Sequence, residues 1–225
     1  MNHDNFRVKV SGDYACFTRP EMKVERVSYD VMTPSAARGV IEAILWKPAI
    51  RWVITQIDLL KPVRWDSFRR NEIANRAIIP PRELIERGGS AMLSTITIEE
   101  DRQQRASILL KDVAYVIHCH FEFSTQKGED DNPVKFSEMF RRRLKKGQCH
   151  HQPYLGCREF SADFVEASPE DFPNQEAILE YYNRDLGYML HDIDFEHHMT
   201  PRFFKAKLEN GSMHVPAFNS AEVYA

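Results

Sequence analysis

The sequence predicts an α+β fold in which two β-α-β units flank a long polar insertion and an antiparallel tail follows. Three observations carry that prediction. Alternation of apolar and polar residues marks strands at 6–11 and 113–123. Amphipathic helices open at Thr33-Pro34 and Asn132-Pro133, each pairing an N-cap residue with proline at the first helical position. Between the two units, residues 62–112 are mixed, polar and broken by Pro80-Pro81 and Gly88-Gly89, too long for an ordinary loop.

The first strand alternates Phe6, Val8 and Val10 with Arg7, Lys9 and Ser11, and Gly12-Asp13 is expected to end it. The first helix presents Ala37, Val40, Ile41, Ile44 and Leu45 on one face and stops at Lys47-Pro48. A β-branched stretch with Trp52 then reads as a strand over 50–60. The insertion at 62–112 reads as an arm containing a β-hairpin. In the strand at 113–123, Tyr115, Ile117, Cys119, Phe121 and Phe123 share one face, and His118, His120 and Glu122 share the other. The second helix has an apolar stripe of Phe136, Met139, Phe140 and Leu144, with Arg141, Arg142, Arg143, Lys145 and Lys146 largely off it and Gly147 placed to end it. Further strands are expected at 158–167 and 186–195, with a short helix at 174–183. Asn210-Gly211, between 203–208 and 213–215, is a hairpin turn signal. This order is the ferredoxin-like split pattern: a body over 1–61 and 113–195, an arm over 62–112 and a C-terminal antiparallel hairpin over 196–225.

A chain of 225 residues buries a core without disulfides or metals. Its apolar runs are far shorter than the roughly 20 residues that span a bilayer, and Met1-Asn2-His3-Asp4 opens no signal peptide, so a cytoplasmic protein with no membrane association is expected. Cys16, Cys119, Cys149 and Cys157 are too sparse for a disulfide scaffold and are read as reduced and structural. The net charge of −3 hides segregation. Residues 135–148 hold six basic side chains against Glu138, residues 61–90 hold seven against four acidic ones, and residues 161–199 hold ten carboxylates against Arg184. Such a field can track a phosphate backbone on its basic side; the ordinary alternative is a pair of solvated faces.

Common catalytic signatures are missing: no Walker A loop, no G-x-G-x-x-G, no G-x-S-x-G and no H-E-x-x-H. Phe121 and Phe123 lie outside any RRM aromatic motif. Asp192, Asp194 and Glu196 alternate on one expected strand and would offer three carboxylates to a divalent ion, but alternation alone predicts an exposed strand face opposite Ile193 and Phe195, which is the favoured reading. His118-Cys119-His120 and Cys149-His150-His151 lack zinc-finger spacing, so no metal or cofactor is expected. Residues 147–160, Gly147-Gln148-Cys149-His150-His151-Gln152-Pro153-Tyr154-Leu155-Gly156-Cys157-Arg158-Glu159-Phe160, gather imidazoles, an amide, a phenol and glycines after a basic helix. Glycines admit close backbone approach and histidines exchange protons near neutrality; a polar loop capping the helix is the plain alternative.

Several of these segments resemble a known family. Gly12-Asp13-Tyr14-Ala15-Cys16-Phe17, Glu42-Ala43-Ile44-Leu45-Trp46-Lys47-Pro48, Arg69-Arg70-Asn71-Glu72, Leu110-Lys111-Asp112-Val113, Phe140-Arg141-Arg142-Arg143, the 152–160 segment and Asp185-Leu186-Gly187-Tyr188-Met189-Leu190 are similar, in this order, to the Cas-five proteins of type I-C CRISPR systems, the Dvulg subtype of the RAMP superfamily. The resemblance implies a ferredoxin-like, RAMP/RRM-like body, an inserted β-hairpin thumb at 62–112 and a small C-terminal antiparallel sheet. It implies an endoribonuclease that cuts CRISPR repeat RNA and stays on the 5′ handle of the guide within Cascade, beside backbone and large subunits and, through the complex, target DNA.

Metal-independent RNA cleavage needs a base for the ribose 2′-OH, a cation for the phosphorane and an acid for the leaving 5′ oxygen. The resemblance carries Lys135 to the cation's place, but puts Leu45 and Phe136 where the family has tyrosine and histidine. Tyr14, His150, His151 and Tyr154 are the remaining proton carriers. Arg69, Arg70, Arg141, Arg142, Arg143, Lys145, Lys146, Lys47 and Arg158 are the expected RNA contacts. Two other readings stand beside this one: a non-catalytic scaffold capping the handle, and a metal-dependent DNase using Asp192, Asp194 and Glu196.

Overall fold

The structure, a computed structural model, describes residues 5–22, 24–75, 82–86, 98–195 and 197–225. Its elements are β1 (Phe6–Ala15), β2 (Arg26–Val27), α1 (Pro34–Ile44), β3 (Ile50–Leu59), β4 (Trp65–Ile73), α2 (Arg82–Glu86), α3 (Ile98–Asp101), β5 (Arg102–Phe123), α4 (Pro133–Lys146), β6 (Asp163–Glu166), a single 3-10 turn (Leu179–Tyr181), β7 (Arg184–Asp194), β8 (Thr200–Leu208), β9 (Ser212–His214) and β10 (Val223–Tyr224).

The main sheet runs β6-β1-β5-β3-β9. Counting only the strands of the two β-α-β units, this is the fourth, first, third and second in chain order, the ferredoxin-like arrangement, with β1 and β3 each antiparallel to β5. Alternation decides which face is dry. Phe6, Val8 and Val10 meet Ile117, Cys119, Trp52, Ile54 and Phe121 under the two helices. An aromatic cluster fills this layer: Phe140 lies 4.9 Å from Phe6 and 4.5 Å from Trp52, and Phe136 packs on Phe121 and Phe123.

Both helices begin as read. The Thr33 hydroxyl accepts from the Ala36 N–H at 3.2 Å, and Asn132 Oδ1 accepts from the Lys135 N–H at 2.9 Å. Gly147 closes α4 at φ 62°, and its N–H returns to the Arg143 and Leu144 carbonyls.

Several expectations change. β1 does not stop at Gly12-Asp13; it runs on to Ala15, pairing Tyr14 with Lys111 and Ala15 with Leu110 of β5, and Gly12 leaves room for Leu155, whose Cδ1 would lie 2.6 Å from an added Cβ. β5 starts at Arg102 and not at 113, so it begins inside the insertion and ends in the body. The strand expected over 158–167 shrinks to β6, and the helix at 174–183 to the single 3-10 turn. Asn210 and Gly211 do take positive φ, 54° and 76°, but the strands they join part: β8 pairs with β7 and β10 in a separate three-stranded sheet, while β9 joins β3. β7 therefore belongs to that smaller sheet and not to the ferredoxin-like body.

Residues Ser67–Ser107 form a second compact unit, apart from Met1–Asp66 with Ile108–Ala225. It holds most of β4, α2, α3 and the start of β5, and within it Arg105 meets Glu72 at 3.1 Å and Asn75 binds Asp101. Pro80-Pro81 and Gly88-Gly89 lie outside the described residues. Among the described residues no helix is long and apolar enough to cross a membrane.

Candidate nucleic-acid interface

α4 sets out the basic residues. Its buried stripe of Phe136, Ser137, Phe140 and Leu144 turns Lys135, Arg141, Arg142, Lys145 and Lys146 to solvent. Lys135 and Arg142, about two turns apart, line a shallow groove of about 440 Å³ with Asn132, Val134, Glu138 and Met139. Lys135 Nζ rests 2.8 Å from Asp131 Oδ1, and this lysine, then the Gly128 N–H, hold the Asp131 carboxyl below the usual carboxylate range. Arg143 differs from its neighbours: it is half-buried and its Nη1 donates to the Ile44 carbonyl oxygen.

That bond closes one end of α1. The carbonyls of Ala43, Ile44 and Leu45 accept from the His150 N–H at 2.8 Å, from Arg143 and from Trp52 Nε1 at 2.7 Å, so the open end of the helix is satisfied by three other segments. The His150 and His151 rings lie 5.8 Å apart and His151 lies 6.5 Å from Tyr154. Gln152 Nε2 donates to the Ala162 carbonyl, the Leu155 N–H to Phe160, and the Cys16 N–H to Leu155, fixing the loop against β1. Tyr14 reaches it through Phe160, 6.0 Å away.

The candidate residues thus fall into two groups. His150, His151, Tyr154 and Tyr14 gather on one loop and its neighbours. Lys135 stands at the opposite end of α4, roughly 12 Å along the axis from Arg143. Lys47 is half-buried and Arg158 is exposed within the loop. Arg69 is exposed and Arg70 lies 5.5 Å over the Phe68 ring, both in the Ser67–Ser107 unit. Leu45 is 0% exposed and Phe136 is 2% exposed, so both side chains belong to the core.

Two features escaped the sequence reading. Trp46 is 57% exposed beside Lys47 at the α1 end, an apolar ring where bases can stack; its place in the Trp-Lys-Pro run was the only signal. Asp58, buried on β3, accepts from Ser212 at 2.7 Å and from Gln56 at 2.6 Å, and lies 2.7 Å from His118 Nε2. Burial would raise its pKa, but the hydrogen bonds of His118, Gln56 and Ser212 outweigh it and hold the carboxyl below its ordinary value. No local motif marks an arrangement that spans three strands. His118 and His120 lie on the sheet face opposite buried Cys119.

The acidic strand is committed elsewhere. Asp192 takes two bonds from Arg38, at 2.7 and 2.9 Å, and Asp194 binds His197 and Arg202; Glu196 lies outside the described residues. Among the described residues no three His, Cys, Asp or Glu side chains are grouped to hold a metal ion.

The sequence profile described as CRISPR-associated protein (Cas_Cas5) matches residues 6–216. A protein of Mannheimia succiniciproducens named CRISPR pre-crRNA endoribonuclease Cas5d is 54% identical over 98% of this chain and 98% of its own. A Thermus thermophilus protein of the same name is 41% identical over 97% of this chain and 94% of its own. Two solved structures share the fold at 24% identity. One is titled a CRISPR-associated protein, with a TM-score of 0.69 over 99% of this chain and 97% of that one. The other is a functionally uncharacterized Streptococcus mutans protein, with a TM-score of 0.66 over 99% and 98%.

Proposed function

The chain belongs to the CRISPR-associated Cas5 family of type I-C systems, and from that premise we propose that it cuts CRISPR repeat RNA by metal-independent attack of a ribose 2′-OH. The observation that carries the reading is the near full-length match to two proteins named pre-crRNA endoribonucleases. A base removes the 2′-OH proton, the 2′ oxygen attacks the adjacent phosphorus, and the departing 5′ oxygen takes a proton from an acid, leaving a 2′,3′-cyclic phosphate. His150, His151, Tyr154 and Tyr14 supply exchangeable protons, and His118, held by Asp58, is a further imidazole with a fixed ring. Lys135, at the positive end of the α4 dipole, offers positive charge to a phosphate. The proposal extends to retention on the 5′ handle as a Cascade subunit in the cytoplasm, beside backbone and large subunits and, through them, target DNA, with the 62–112 arm as the thumb.

A second reading, a scaffold that binds the handle without cutting, is favoured by the burial of Leu45 and Phe136. Incubating the full chain with its own repeat RNA in EDTA separates the readings. A chelator-resistant cut ending in a 2′,3′-cyclic phosphate supports the endoribonuclease. Retained binding without a cut supports the scaffold, and cleavage restored only by a divalent ion supports the metal-dependent nuclease.

A further inference from the structure

Gly156 carries the 152–160 loop against the end of β1 so closely that the two flanking cysteines meet. The Cys16 N–H donates to the Leu155 carbonyl at 3.0 Å, and the Cys157 thiol lies 3.7 Å from the Cys16 carbonyl oxygen. The Cys157 thiol thus reaches the backbone of Cys16 although the two lie 141 positions apart in sequence. Arg26 brings Nη1 to 3.7 Å from Cys157 Sγ, and Thr18 Oγ1 lies 3.6 Å from Cys16 Sγ. An open cavity of about 290 Å³ is walled by Phe17 and Gly156, the sequence neighbours of the two cysteines, with Thr18, Thr33, Ser35 and Tyr154. Cys157 is half-buried and Cys16 buried, so one sulfur is reachable by a small oxidant and the other waits behind it.

We propose that Cys157 is a site of oxidation by peroxides and that Cys16 resolves the product into an intramolecular disulfide. The Cys157 thiolate attacks a peroxide oxygen; the O–O bond breaks, an S–O bond forms, and the departing oxygen leaves as water or an alcohol after taking a proton. The Cys16 sulfur then attacks the sulfenic sulfur, its own proton leaves with the hydroxyl as water, and the S–S bond forms. Two thiols lose two electrons and one peroxide gains them. The neighbouring Cys16, together with Arg26, favours the thiolate at Cys157 against the opposing effects of burial and Glu159, while Cys157 and burial keep the proton on Cys16. Cys119 has neither feature: it is fully buried in the helix-covered layer and burial alone pushes its thiol up.

The test uses the reduced full-length protein, treated with hydrogen peroxide, blocked with N-ethylmaleimide under denaturing conditions and digested without reductant. The expected map contains a Cys16–Cys157 linked peptide, with Cys119 and Cys149 the two of four cysteines still blocked. In Cys16→Ser, Cys157 is expected to stop at the sulfenic acid and take up dimedone. Full blocking of both Cys16 and Cys157 after peroxide overturns the proposal, as does linkage of Cys157 to Cys149 as often as to Cys16. If Cys16→Ser does not fold, the wild-type map decides alone.

Discussion

At Gly156, φ is 84° and an added Cβ would lie 2.0 Å from the Cys16 carbonyl oxygen, which is backbone and cannot yield. Gly156→Ala is therefore expected to cost roughly 3 kcal/mol or more, read as a fall in the denaturant midpoint of unfolding; an unchanged midpoint would show that the loop does not press on β1. The same residue shows what one-dimensional reading reaches. Two glycines in a polar loop were visible as freedom for the backbone, but the surface they approach is β1, far away in sequence. Leu45 and Phe136 give the complementary case. They stand where the resemblance puts tyrosine and histidine, yet both are core side chains, with Phe136 packed on Phe121 and Phe123. Leu45→Tyr and Phe136→His are each expected to destabilise by about 1–4 kcal/mol through overpacking or a buried imidazole, with no gain in cleavage by whatever folded protein remains. A faster cut from a folded double variant would mean that those positions open to RNA.

On α4, basic residues that are indistinguishable in sequence divide by what they touch. Arg142, Lys145 and Lys146 face solvent, while Arg143 is tied to the end of α1. Measured against log salt concentration, repeat-RNA affinity is expected to lose about one unit of slope for each of Arg142→Ala, Lys145→Ala and Lys146→Ala that removes a phosphate contact. Arg143→Ala is expected to lower the melting temperature and leave the slope nearly unchanged. The caps of α1 and α4 were legible because Thr33-Pro34, Asn132-Pro133 and Gly147 act within one turn of chain. The length of β5 was not, because its early residues pair with β4 and β2, which no local pattern announces. Asp58 links β3, β5 and β9 through His118 and Ser212. Its folded pKa is depressed, so its contribution is fully present above an unfolded pKa of about 4 and is lost as pH falls through the lower folded value. Asp58→Asn is accordingly expected to cost about 1–3 kcal/mol at neutral pH, with the gap to wild type narrowing below about pH 4. A gap independent of pH would remove the carboxylate from the account.

Across the whole chain, acidic and basic stretches divide although the total charge is −3. The acidic stretch is partly spent on internal pairs, Asp171 with Lys9, Asp192 with Arg38 and Asp194 with Arg202, while much of α4 keeps its cations exposed. The split β-α-β order was readable because each half is local; the parting of β8 from β9 was not, since the same Asn-Gly turn serves a hairpin or a change of sheet. The central claim, that the chain cuts RNA through the ribose 2′-OH, is tested most directly by a repeat RNA carrying a single 2′-deoxy nucleotide on the 5′ side of the cut. Cleavage at that bond is expected to vanish while affinity stays nearly unchanged, since only the nucleophile is gone. Cleavage of the deoxy substrate at the wild-type rate would contradict it.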